Sequence, residues 1–293
     1  MNERLTIVIV TFQSSSIIGF CLQKLNREKY EVIVVDNNSQ DNTTQVAEQF
    51  LPQSNIIKLN KNSGFGRANN VGLRKVKTEY ALVLNPDAFM EEKDIETVLS
   101  IMDKNHQIAI AGAVPYNCKI NDTGEIEIAS TPTISLISNG SDFDFTRFIT
   151  GAGMFMRVEI FKKIGFFNEE FFLYCEDNEI CKRVIKKGYK NALIKTTKLL
   201  HCSRKSSSDS ANPRIFWHRF GWSKAFYIAA TRGVIVGKLA ALRIGLKYFF
   251  LTIRDYNKTS NATQINRYAM RGAFAYLFGI KAFDKNGNPR LPK

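Results

Sequence analysis

A chain of 293 residues with 44% hydrophobic and 23% charged side chains can bury a large core, which excludes an intrinsically disordered protein. Its five cysteines (Cys21, Cys118, Cys175, Cys181 and Cys202) are odd in number and scattered, which argues against a disulfide framework and for a reducing compartment. The formal net charge of +14 is uneven: residues 1–150 hold 14 basic and 18 acidic side chains, residues 201–293 hold 17 and 3, so the last third points to an anionic partner, nucleic acid or an acidic membrane surface.

No apolar run follows a basic start at the N-terminus, so no secretory leader is expected. Residues 5–10 predict a buried strand, followed by a helical stretch to about residue 26. Strands are expected at 31–36, 55–59, 80–84 and 108–113, with helices at 41–50, 66–74 and 94–103 between them. Continuous apolar strands alternating with helices predict a parallel sheet covered on both faces. From 119 to 146 the pattern turns polar and turn-rich, as an insertion or hairpin over the site would. An apolar strand over 148–157, a helix over 158–164, an acidic segment at 171–183 and a strand at 192–196 complete a sheet domain over 1–205. Residues 203–213, rich in serine, predict a link. A basic, mainly helical region over 206–293 follows.

Ligands of such sheets bind outside the carboxyl ends of the strands, where Thr11, Asp36 to Asn38, and Asn85 with Asp87 stand. Leu84-Asn85-Pro86-Asp87 ends a strand, and its proline stops the ladder. Asp87 is then held at the sheet edge, a good ligand for a Mg²⁺ or Mn²⁺ ion shared with a diphosphate, although aspartate is also frequent in turns. Residues 62–73 are glycine-rich and open a helix, but they lack the G-x-G-x-x-G spacing and follow the third strand, which excludes a dinucleotide fingerprint. Phe12-Gln13-Ser14-Ser15-Ser16 stands where a nucleotidyltransferase would carry a glycine-rich phosphate loop. Phe171-Phe172-Leu173-Tyr174 leads into Glu176-Asp177 at the start of a helical pattern. Acidic residues suit a helix start; an aromatic lead-in would instead set the carboxylates at the mouth of a pocket, and spacing leaves both open. Cys175, Cys181 and Cys202 with His201 contain no C-x-x-C pair and make no zinc signature.

Taken together, Val34-Val35-Asp36-Asn37-Asn38-Ser39, residues 62–73, Leu84 to Asp87, Gly151-Ala152-Gly153 and residues 171–183 resemble glycosyltransferase family 2, and within it the bacterial rhamnosyltransferase-like branch. The likeness runs in the family's order over about residues 5–205. It implies a GT-A-type α/β fold with helices on both faces of a mostly parallel sheet, a nucleotide-sugar donor, a divalent cation (Mg²⁺ or Mn²⁺) and inversion at the anomeric carbon. It implies that Asp36, beside Thr11, contacts the nucleotide base, with Asn38, Asn62, Gly64, Arg67, Asn69 and Asn85 in the donor site. Asp87 matches the last aspartate of the family's D-x-D metal motif, whose first is Asn85 here. His201 resembles a histidine that completes the metal site in some relatives, without the glycines that usually follow it. Asp177, after Glu176, matches the general base. A carboxylate of ordinary pKa (~3.9) suffices there if the acceptor hydroxyl acidifies only as it bonds to an oxocarbenium-like carbon. dTDP-rhamnose is the favoured donor, with UDP-hexoses open. The acceptor is a saccharide or lipid-linked saccharide, as in lipopolysaccharide or capsule assembly on the cytoplasmic side.

Residues 233–254 carry Ile235, Leu239, Leu242, Leu246, Phe249 and Ile253 at helical spacing, with Arg243, Lys247 and Arg254 on an adjoining face. The longest charge-free apolar run there, 248–253, is far below the ~20 residues that span a bilayer. A basic helix lying on an anionic leaflet is the expectation, against a helix that packs its apolar face inward. The rival class is nucleic-acid binding, for which Phe216, Trp217, Trp222 and Tyr227 would serve, but no recognition motif accompanies them. A sugar-nucleotide-binding module without catalysis is the third reading; normal donor binding without turnover would identify it.

Overall fold

The computed structural model describes residues 4–121, 125–130, 132, 140–202, 215, 217–255 and 261–290. The chain divides into two compact units, one of Met1–Asn60, Ala68–Phe166 and Cys181–Ser207, the other of Lys61–Arg67, Phe167–Ile180 and Ser208–Lys293. The serine-rich link expected at 203–213 lies outside the described residues.

The first unit is built on ten strands: β1 (Leu5–Thr11), β2 (Glu31–Asp36), β3 (Ile56–Lys58), β4 (Tyr80–Leu84), β5 (Ala88–Phe89), β6 (Ile108–Ile120), β7 (Ile126–Ile128), β8 (Phe143–Thr146), β9 (Gly153–Arg157) and β10 (Lys190–His201). Between them in the chain run α1 (Ile18–Lys24), α2 (Thr43–Glu48), α3 (Phe65–Leu73), α4 (Glu92–Lys104), α5 (Val158–Ile164) and α6 (Glu176–Lys186), the first residues of α3, to Arg67, and of α6, to Ile180, being counted with the second unit. The sheet order is β3-β2-β1-β4-β9-β6-β10-β5. The β3-β2-β1-β4 half is parallel, as uninterrupted apolar strands require. β9 then enters antiparallel to both β4 and β6, and the second half is mixed. Both faces are covered. Val32 and Val34 point into the main core with Leu5, Ile7 and Leu22, while Ile33 and Val35 meet Ala68 on the other side, the alternation a pleated strand imposes.

Three expectations are corrected by pairing. The apolar strand expected over 148–157 is only β9; residues 148–152 form its approach, where Gly153 lets Leu199 close to 2.7 Å of the missing Cβ position. The strand expected at 192–196 runs on to His201, because a register shift against β6 between Ile194 and Lys198 absorbs the polar Lys195-Thr196-Thr197 stretch. The Thr197 hydroxyl closes that bulge by donating to the Ile194 carbonyl at 3.0 Å, the usual device for bending a strand without ending it. His201 is therefore the last residue of a strand rather than a residue beyond one. The same register sets Asn117 opposite His201, so the next residues along, Cys118 and Cys202, come side by side and are joined as a disulfide, which corrects the expectation that the scattered cysteines stay unpaired. Eighty-four positions separate them in sequence, and only the β6–β10 pairing reveals them as neighbours. Cys21, Cys175 and Cys181 are free thiols.

The second unit holds a π-helix (Trp217–Trp222), α7 (Ser223–Arg232), α8 (Val234–Arg254) and α9 (Asn261–Leu277) around Phe172, Trp217, Trp222 and Phe283. Its helices meet through small residues. A Cβ on Gly237 would lie 2.3 Å from the Cβ of Ala229 on α7, and one on Gly245 would lie 2.7 Å from the Phe274 ring on α9. With Gly237, Ala241 and Gly245 turned inward, the large side chains of α8 face out: Ile235 is 77% exposed and Phe250 64%, with Leu239, Leu242, Leu246, Phe249 and Ile253 also open. Glycine is equally necessary at Gly64, where φ is +83° and a Cβ would overlap the Phe172 carbonyl oxygen.

Candidate active site

The carboxyl ends of β1 and β2 carry the first polar group. Thr11 closes β1 and its hydroxyl donates to Asp36 Oδ1 at 3.0 Å. The Ser39 hydroxyl donates to the same oxygen at 2.6 Å and the Ser39 amide to Oδ2 at 3.0 Å. Asn38 sits between them at φ +68°, a left-handed turn that asparagine tolerates better than most residues. Asp36 is thus buried and fixed in one orientation, as a carboxylate that reads a polar edge must be.

The second group forms where β4 stops. Asn85 donates its amide to the Ala152 carbonyl at 3.0 Å, and the turn it begins returns through the Ala88 amide at 3.1 Å. β5 then pairs antiparallel with the end of β10, setting His201 opposite Ala88. That pairing brings His201 Nε2 to 3.3 Å from Asp87 Oδ1 and to 3.4 Å from Asn85 Nδ2. Asp87 is 1% exposed, and neither of its carboxylate oxygens accepts a hydrogen bond among the described residues. Burying an ionised carboxylate that way is costly unless a cation compensates it. His201 also borders a cavity of 310 Å³ walled by Pro115, Tyr116, Phe148 and Thr150. The residues fit a divalent ion. Asp87 and His201 offer one carboxylate and one imidazole, donors that a divalent cation takes; among the described residues no group of three His, Cys, Asp or Glu side chains gathers at one point.

The third group belongs to the second unit. Phe171 to Cys175 descend into α6, and Tyr174 and Cys175 both take positive φ, +69° and +71°. Two successive non-glycine residues in that region cost about 1–3 kcal/mol each and persist only where the surroundings impose them. The turn buries Glu176, whose Oε2 has no hydrogen-bond partner among the described residues. Burial, with the Asp177 charge alongside, pushes the Glu176 carboxyl up to about 8. Asp177 is held by Asn178, whose backbone amide and side-chain amide both donate to Oδ1, at 2.8 and 3.0 Å. Burial and the same two carboxylates push the Cys175 thiol up to about 12, so it is not a nucleophile. These residues line an open cleft of 410 Å³ whose other wall includes Arg219 and Lys224. No sequence signal marked that pair, because a π-helix with no motif of its own presents the arginine.

The glycine-rich segment 62–73 is accounted for differently in part. Asn62 Oδ1 accepts from the Gly64 amide at 3.0 Å, and the Phe65 amide donates to the Phe172 carbonyl at 3.0 Å. Arg67 donates through Nε to the Glu169 carbonyl and stacks 3.6 Å above the Phe283 ring. Asn62, Gly64 and Arg67 therefore tie the second unit's segments together, whereas Asn69 is buried in α3 within the first unit.

Residues 6–165 match the family model of glycosyl transferase family 2. The chain is 23% identical over 184 residues to Glycosyltransferase GlyG of Streptococcus pneumoniae, a match covering 57% of this chain and 61% of that protein. The chain thus spans less than two thirds of that relative. It is 22% identical over 236 residues to Rhamnosyltransferase WbbL of Escherichia coli, covering 72% of this chain and 88% of the relative. Among solved structures, Mannosyltransferase PcManGT from Pyrobaculum calidifontis, in complex with GDP-Man and Mn²⁺, superposes with a TM-score of 0.56 at 14% identity, over 94% of this chain and 87% of that one. That likeness identifies the fold as GT-A-type.

Proposed function

The chain belongs to glycosyl transferase family 2, and from that premise we propose that it transfers a sugar from a nucleotide-diphosphate donor to a saccharide or lipid-linked saccharide acceptor, with inversion. The observation that carries this reading is Asp87: a buried carboxylate at the carboxyl end of a central strand, without a hydrogen bond among the described residues, 3.3 Å from a histidine. A binder of neutral ligands has no use for it. Asp36, with Thr11, takes the nucleotide base, Asn38, Asn69 and Asn85 serve the donor, and the family resemblance gives Asn62, Gly64 and Arg67 a donor-binding role as well. Asp87 and His201 would hold the divalent cation, which would offset the charge that develops on the departing diphosphate.

The reaction balances without other reagents. The acceptor oxygen bonds to the anomeric carbon from the face opposite the diphosphate, its proton passes to Asp177, and the electrons of the breaking carbon–oxygen bond leave on the diphosphate. Glu176, its carboxyl pushed up to about 8, stays protonated at neutral pH beside Asp177 and leaves that base the one charge at the turn. Rhamnose is the favoured sugar, supported by the rhamnosyltransferase name of WbbL, in bacterial cell-surface polysaccharide synthesis. A panel of sugar nucleotides with Mn²⁺ tests the reading: slow hydrolysis of dTDP-rhamnose above the other donors is the expected result, and binding of none of them overturns it.

We place residues 1–205 as the catalytic region and the 206–293 region on the cytoplasmic face of an anionic membrane. Among the described residues no helix is long and apolar enough to cross one. The outward apolar face of α8, flanked by exposed Arg243 and Lys247, supports a helix lying in the interface. Arg254, also exposed on α8, donates through Nε and Nη2 to the buried Asp255 at 2.9 and 3.0 Å, which offsets its charge. Replacing Arg243 and Lys247 with Gln leaves α8 packed and removes about 1 kcal/mol each of attraction to anionic lipid, so sedimentation with phosphatidylglycerol vesicles should weaken ~30-fold. Undiminished binding, or a preference for oligonucleotides, would show that the basic surface serves another partner.

A further inference from the structure

Within the second unit, residues beyond α9 fold back onto the glycine-rich loop at 61–67. Residues 282–290 close a tight hairpin. Phe283 bridges antiparallel to Pro289, the Arg290 amide donates to the Ala282 carbonyl at 2.8 Å, and the Asp284 amide donates to the Asn288 carbonyl at 2.9 Å. Asp284 Oδ1 fixes the turn by accepting the Asn286 and Asn288 amides at 2.9 and 2.8 Å, a common use of aspartate in turns. The Trp222 indole donates to the Ile280 carbonyl at 2.7 Å and anchors the approach to the hairpin. From this base the hairpin reaches the loop at two points. Phe283 is buried; its ring lies 3.6 Å from the Arg67 guanidinium and meets the Phe172 ring edge-on at 5.9 Å. Phe172 is the residue whose carbonyl accepts the Phe65 amide and leaves no room for a Cβ on Gly64. The second point is the hairpin's tip. Lys61 Nζ donates to the Asn286 carbonyl at 2.6 Å across 225 positions of sequence. A Cβ on the neighbouring Gly287, where φ is +74°, would stand 2.8 Å from that Nζ.

Gly64 and Gly66 give the loop more backbone freedom to lose than other residues would, so contacts from outside it decide how far it is ordered. We infer that the 282–290 hairpin is a clasp that holds the 61–67 loop in the shape the donor needs, with Phe283 and the Asn286 carbonyl as its positioning groups. The inference rests on the donor role given to Asn62, Gly64 and Arg67 in the glycosyl-transfer reading, and it requires no hairpin residue to touch the donor. If the loop holds its binding shape only part of the time, the apparent dissociation constant rises by the inverse of that fraction. The loss is the same for bound donor and transition state, so the clasp governs the donor KM and leaves kcat alone. A hairpin that only covered Trp217 and Trp222 would change thermal stability and neither constant.

Two measurements on the full chain test the clasp: calorimetric titration with dTDP-rhamnose and Mn²⁺, or with whichever sugar nucleotide the wild type binds more tightly, and hydrogen exchange over residues 61–67 without ligand. Phe283→Ala should weaken donor binding about tenfold and speed exchange in the loop about as much, while β1 and β4 exchange as in the wild type. Phe283→Tyr, which keeps a ring under Arg67, should restore most of both. In donor hydrolysis, Phe283→Ala should raise KM by the same factor and keep kcat within about twofold. Lys61→Met keeps the length of the side chain and loses only its donation to Asn286, and it should weaken the donor about threefold. Lys61 is only partly buried, so this variant reports even if Phe283→Ala disturbs the apolar cluster. Faster loop exchange in either variant with wild-type donor affinity overturns the inference, because the hairpin would then serve the fold alone. So does a fall in kcat at unchanged KM, or wild-type exchange and affinity in Lys61→Met. A wild-type protein that binds no sugar nucleotide is a different result: it sinks the glycosyl-transfer reading, and the clasp's role with it, whatever the loop's exchange shows.

Discussion

Asp177→Asn should abolish sugar transfer, lowering kcat by ~10²–10⁴-fold, while the donor still binds with wild-type affinity. The carboxamide keeps the shape of the side chain and can still accept from the Asn178 amides that hold Oδ1, so the fold of the turn should survive. What it loses is the capacity to take a proton. The matched control is Glu176→Gln. Because burial and the neighbouring charge push the Glu176 carboxyl up to about 8, glutamine imitates its protonated state at pH 7 and should cost little there. The sign of the pH effect follows: above about pH 8 the wild-type Glu176 ionises and sets a second negative charge beside Asp177, whereas the glutamine cannot. The kcat/KM profiles of wild type and Glu176→Gln should therefore coincide at pH 6–7 and separate on the alkaline side. If Asp177→Asn kept more than about a tenth of the rate, or if Glu176→Gln were the inactive variant at pH 7, the base would be another group.

Much of the frame behind that experiment is legible in the sequence. The strands β1, β2 and β4 are unbroken apolar runs, and nothing but a sheet covered on both faces can bury them. Pro86 marks the end of β4 and so the place of Asp87. The helix start at Glu176 is equally visible. What the sequence hides depends on partners distant in the chain. The end of β10 is polar at Lys195-Thr196-Thr197, and only the bulge against β6 carries the strand on to His201. The Cys118–Cys202 disulfide follows from the same register. For α8 large apolar residues at helical spacing suit either a membrane surface, the reading preferred here, or a buried face, and spacing alone does not decide between them. Here Gly237, Ala241 and Gly245 decide the packing, because backbones that approach through glycine gain close contact which bulkier residues would prevent. The positive φ values at Tyr174 and Cys175 have no sequence signature, as neither residue is one that favours them.

Asp87 offers the second large effect, and it is best read from stability as well as from rate. A carboxylate 1% exposed, with no hydrogen bond to either oxygen among the described residues, burdens the cation-free fold, because desolvation is offset only by His201 at 3.3 Å. Asp87→Asn removes that charge with little change in volume. In EDTA the variant should melt at or above the wild-type temperature, an unusual direction for a substitution in a core. Adding Mn²⁺ with a sugar nucleotide should then raise the wild-type melting temperature, since a ligand at a hundred times its dissociation constant contributes about 2.7 kcal/mol to the folded state. The same addition should leave Asp87→Asn unmoved and its transfer rate at background. His201→Ala should fall between the two, because it removes one protein ligand and keeps the carboxylate. A wild-type protein whose donor affinity is the same with and without Mn²⁺, or an Asp87→Asn variant that melts several degrees below wild type in EDTA, would mean that this carboxylate serves the fold and not a cation.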